Sequence, residues 1–96
     1  MDDRRVVVMI RPDVLVNKDT GRFAARYTVF GLTAYGKNND EAVSKVRRML
    51  EAALYEHRRS GNLEDWLNSS GVEWFWEDEY KGSSWRKVSE PDLVAV

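Results

Sequence analysis

The sequence predicts an α+β fold: a three-stranded antiparallel meander, one long helix and a fourth strand, in the order β-β-β-α-β, with a short extra helix before the last strand. Three observations carry this expectation. A β-branched run at Val6–Ile10 is followed by shorter apolar stretches separated by turn residues. A stripe from Ala42 to Leu54 repeats at the helical period. An aromatic segment, Val72–Glu77, follows a Ser-Ser-Gly breaker.

The first run, Val6-Val7-Val8-Met9-Ile10, is apolar throughout and reads as a central strand or one buried on both faces. Pro12 removes a backbone donor, so the strand either ends there or is a kinked edge that continues as Asp13-Val14-Leu15-Val16. Asn17-Lys18-Asp19-Thr20-Gly21 gathers turn formers around a glycine, and predicts a hairpin. A second strand is expected over residues 22–29, with Phe23, Ala25, Tyr27 and Val29 on one face. Gly31 permits a bend, and Leu32–Tyr35 makes a third strand ending at Gly36.

The helix is expected from about Asn39 to Arg59, roughly 30 Å at 1.5 Å per residue. Asn38 and Glu41 have the spacing of a capping box. Ala42, Val43, Val46, Met49, Leu50, Ala53, Leu54 and His57 form the apolar stripe. Asp40 and Glu41 suit the positive end of the dipole, Arg58 and Arg59 the negative end, and Gly61 stops the helix. Asn62 is placed to cap a second helix over Leu63–Asn68, with Leu63, Trp66 and Leu67 as its apolar side. Residues 1–77 are thus one domain, and 78–96 a C-terminal tail, extended in part or mobile, in which Trp85–Val88 and Leu93–Val96 could form extended pieces.

Ninety-six residues suffice for one domain and leave no room for two. The chain has no cysteine, which points to a reducing, cytoplasmic setting. Its five-residue apolar run is too short for a signal-peptide core or a membrane span. The net charge of −1 argues against direct nucleic-acid binding. Charge is nevertheless uneven: residues 1–61 carry twelve Lys/Arg against eight Asp/Glu, and residues 62–96 carry three against eight. Arg22, Arg26, Arg47 and Arg48 form the candidate basic patch, and would make any nucleic-acid binding salt-sensitive.

Catalysis finds little support. The single histidine, His57, reads better as a boundary residue at the helix end than as a base or ligand. With no second histidine and no cysteine, a zinc centre is not expected. Glu77-Asp78-Glu79 is the densest acidic run, but neighbours on a strand point to opposite faces. A metal-dependent nuclease would need carboxylates converging from strand centres, where only Glu73 and Glu77 are on offer. No catalytic, metal-binding or cofactor-binding residue is therefore expected. The aromatic residues suggest something else: Trp74, Phe75, Trp76, Tyr80 and Trp85 are the candidate protein interface, since aromatic anchors with few lysines suit one.

Gly21, Phe23, Ala24, Gly31, Gly36, Asn38, Glu41 and Ala42 together resemble the pattern of the HicB-like antitoxin domain. That family has a glycine before an aromatic second strand, a bend glycine, then a glycine and a capping box opening the helix with Glu-Ala. The likeness covers Gly21 to Leu54. The family's Pro-x-Leu-Pro is replaced here by Tyr27-Thr28-Val29-Phe30, and nothing after Trp76 looks like a helix-turn-helix or ribbon-helix-helix segment. The resemblance implies a stand-alone, non-enzymatic module that binds and masks a small HicA-like ribonuclease toxin. The alternatives are a solitary homo-oligomeric domain without a toxin, for which a two-fold dimer is the first expectation, and a weak nucleic-acid-binding module.

Overall fold

The computed structural model describes residues 5–77 and the backbone of residues 92–95. Its elements are β1 (Val6–Ile10), β2 (Asp13–Val16), β3 (Phe23–Tyr27), a 3₁₀ turn (Thr28–Phe30), β4 (Leu32–Gly36), α1 (Asn39–Ser60), α2 (Leu63–Ser70), β5 (Glu73–Trp76) and β6 (Asp92–Ala95). The class is α+β with antiparallel strands, as the sequence suggests. The strand order matches the expected one only in part. The described strands form two three-stranded sheets, β5-β1-β6 and β2-β3-β4, rather than one four-stranded sheet.

Pro12 explains the difference. It has no N–H to give a ladder, so the chain leaves one sheet at Ile10 and enters another at Asp13. The meander therefore consists of β2, β3 and β4. The valine run becomes the middle strand of the other sheet, pairing Val6 with Trp76 and Val8 with Trp74 on one side. On its other side Val8 pairs with Val94 and Ile10 with Asp92. Of the expected tail, residues 78–91 and 96 lie outside the described residues, and Asp92–Ala95 is the strand β6.

One core joins the two sheets and both helices. Val6 and Val8 of β1, Ala25 and Tyr27 of β3, and Ala34 of β4 meet Ala42, Val46, Leu50 and Leu54 of α1 and Leu63 and Leu67 of α2. Of the predicted α1 stripe, Ala42, Val46, Leu50 and Leu54 are buried but Met49 is exposed, and α1 lies mainly across β3 and β4. Asn38 Oδ1 accepts the Glu41 N–H at 2.8 Å, which fixes the start of the helix. The Glu41 carboxylate turns to Lys45 Nζ, 3.0 Å away, rather than back to the cap. Lys45 thereby holds the Glu41 carboxyl below its ordinary range.

The second strand is shorter than the alternation suggests. Gly31 takes a left-handed conformation (φ 67°) and donates its N–H to the Thr28 carbonyl at 3.1 Å, winding residues 28–30 into one tight turn. Val29 is consequently exposed instead of inward, and Phe30 swings onto Trp66, ring centroids 4.7 Å apart. No helix of the described residues is long and apolar enough to cross a membrane.

Candidate binding surface

The hairpin between β2 and β3 is built locally. Asn17 Oδ1 accepts the N–H groups of Asp19 (2.8 Å) and Thr20 (3.1 Å), and the Asn17 carbonyl accepts the Gly21 N–H at 2.7 Å. Gly21, at φ 73°, completes the reversal in the left-handed region. Register follows from the turn: Asp13 stands opposite Arg26, Val14 opposite Ala25, Leu15 opposite Ala24 and Val16 opposite Phe23.

That register sorts the side chains by face. Val14 and Val16 share the face of Ala25, toward α1, while Leu15 shares the outer face with Ala24 and, one strand further, Tyr35. Because α1 sits over β3 and β4, β2 projects past its cover. Every residue of β2 is exposed: Val14 42%, Leu15 45% and Val16 54%. Tyr35 is 60% exposed. A concavity of 590 Å³ opens at the hairpin end of this sheet, lined by Leu15, Arg22, Ala24 and Tyr35 of the outer-face register and by Val16 and Phe23 of the inner one. It is apolar with a cationic rim. At the other end of β2, Asp13 accepts a hydrogen bond from Thr28 Oγ1 (3.2 Å) and lies 3.9 Å from Arg26 Nε.

The expected basic patch is divided. Arg22 lines the concavity and Arg26 pairs with Asp13, both on the outer face. Arg47 and Arg48 belong to α1, which packs on the opposite face of the sheet. The expected aromatic interface is divided too. Trp74 and Trp76 are half-buried against the core, packed edge to face at 5.6 Å, and Trp74 Nε1 donates to Asn68 Oδ1 at 2.9 Å. Phe75 pairs with Val7, on the other face of that sheet. Tyr80 and Trp85 lie outside the described residues.

His57 sits in the last turn of α1 with its ring stacked on Trp66, centroids 4.0 Å apart, and Nδ1 donating to Asn62 Oδ1 at 3.0 Å. Asn62 thus turns its amide to α1 and makes no side-chain cap for α2. Phe30, Trp66 and His57 form one stack that ties the two helices to the turn after β3. Among the described residues, no three His, Cys, Asp or Glu side chains converge as a metal site would require.

The exposed strand Val14–Val16 and Tyr35 are the functional candidates that pattern reading overlooks. The signal is present in the sequence: Pro12 cuts three apolar residues away from the valine run, and three consecutive apolar residues in a strand must place one on each face. No family model matches this chain, and no curated protein or solved structure is significantly similar to it.

Proposed function

We infer that the chain is a non-enzymatic protein-binding module whose contact surface is the outer face of the β2-β3-β4 sheet. The observation that carries this is the row Leu15–Ala24–Tyr35, exposed at Leu15 and Tyr35 and half-buried at Ala24, beside an apolar concavity rimmed by Arg22. Apolar side chains left in water beside a cation favour burial against another protein. The resemblance of Gly21–Leu54 to HicB-like antitoxins supports a small HicA-like ribonuclease toxin as the partner, masked by surface contact. Such a partner would be blocked sterically, with no chemical step asked of this chain. Co-expression with a HicA-like toxin tests the reading. Growth is expected to recover, with the two proteins co-eluting, and Tyr35→Glu should abolish both effects. Unrelieved toxicity with no complex would rule the toxin out.

A second reading, a solitary domain that only self-associates, is favoured by a different observation: no described residue pairs with the free edge of β2.

A further inference from the structure

We propose that β2 pairs antiparallel with β2 of a second copy about a two-fold axis at Leu15, joining two three-stranded sheets into one of six strands. This gives the self-associating reading a contact and a register, and does not depend on the toxin.

Backbone parity comes first. The Asn17 N–H donates to the Arg22 carbonyl at 2.8 Å, in the same register as the Leu15–Ala24 and Asp13–Arg26 pairs. In an antiparallel ladder, bonded and non-bonded pairs alternate. Residues 13, 15 and 17 therefore turn their polar groups to β3, and Val14 and Val16 turn theirs to the edge, where no described residue pairs with them. With the axis at Leu15, Val14 meets Val16 of the partner copy and the two exchange both hydrogen bonds, once on each side of the axis.

Slipping the register by one residue would set the axis between two residues and put Val14 opposite Leu15, side chains from opposite faces, so the alternative axes lie one full residue away, at Val14 or Val16. Centring on Val14 sets Val16 against Pro12, which has no N–H to give. Centring on Val16 sets Asp13 against Asp19, like charges opposed. Centring on Leu15 instead brings each Arg11 to the other copy's Asp19, and Asp13 to Asn17 beside Lys18. A parallel arrangement in register would oppose every charge with itself. Charge and backbone select the same pairing.

The side chains agree. About the Leu15 axis, Val14 and Val16 cover one another on the inner face, and the two Leu15 side chains meet on the outer face. The row Tyr35–Ala24–Leu15 then continues into its own copy. Edge pairing of so short a strand buries less than the ~1,200 Å² of a standard interface, so the dimer should dissociate on dilution.

Disulfide trapping tests both the contact and its register, because the chain has no cysteine to compete. In a non-bonded antiparallel pair, facing Cα atoms lie about 4.5 Å apart, within disulfide reach, whereas two residues on the diagonal are about 7–8 Å apart. Leu15→Cys should oxidise to a covalent dimer at least about tenfold faster than Val14→Cys or Val16→Cys alone. Val14→Pro removes only an edge-facing N–H, so it should keep the circular dichroism spectrum and lose the concentration-dependent dimer in sedimentation velocity. Faster trapping through Val14 or Val16 overturns the register. A monomer at every concentration, with no preference for position 15, overturns the pairing. A monomer that still relieves the toxin sinks only this proposal, and a dimer that does not relieve it sinks only the toxin.

Discussion

β1 and β2 are near neighbours in sequence and alike in composition, yet they meet opposite fates. Val6 and Val8 of β1 are wholly buried, and Val7 is nearly so. In β2, two residues further along, no side chain is buried. Apolar character does not distinguish them. Position does: β1 has a strand on each side and the core against one face, while among the described residues β2 has one neighbouring strand and lies past the end of the helix cover. Burial is a property that topology confers, and the two residues Arg11-Pro12 decide which strand receives it.

The contrast breaks or holds on paired substitutions. Val8→Asp places an unpartnered carboxylate in the core and should cost more than about 4 kcal/mol, unfolding the protein. Val16→Asp should change stability by no more than about 0.5 kcal/mol. Urea denaturation followed by circular dichroism measures both, and similar costs would erase the distinction. Leu50→Ala, on the buried face of α1, should lose about 2–5 kcal/mol, against about 0.5 kcal/mol or less for Leu15→Ala.

Three smaller effects sharpen the account of why α1 stops short of β2. Gly36 lets β4 approach the first turn of α1 so closely that a Cβ there would stand 2.6 Å from the Ala42 nitrogen. Gly36→Ala should therefore displace the helix and cost about 1–3 kcal/mol, visible as a lowered thermal midpoint. Asn38→Ala removes the cap and should cost about 1 kcal/mol by the same measurement. Smallest is the pH response of Glu41. Its carboxyl is lowered in the folded state by the Lys45 hydrogen bond. Its contribution is present above the unfolded carboxylate range and fades as pH falls through the folded value. Glu41→Gln should flatten that part of the acid stability profile.

Local rules carry most of the fold. The helix stripe, its Asn38 cap, its Gly61 stop and the Asn17–Gly21 turn are legible because each is set by residues within a few positions. Partner choice between strands is not legible, since β1 pairs with segments far along the chain and no local pattern records that. The surface is harder still. Arg22, Arg26, Arg47 and Arg48 look like one group in sequence, but the sheet comes between them. Trp74 and Trp76 look superficial by their number alone, but they pack against the core beside Val8 and Val6. Asn62 has the sequence position of a cap for α2, yet its amide serves α1.

The pairing of residues 6–10 with residues 73–76 and 92–95 has a consequence for biogenesis. A strand made well before its companions waits for them, so during synthesis its valines stay unpaired until residues 73–76 and 92–95 have followed. Chains of this long-range connectivity fold slowly and are prone to clump while they wait. Chaperone demand should fall sharply in a circular permutant that delivers those three strands one after another.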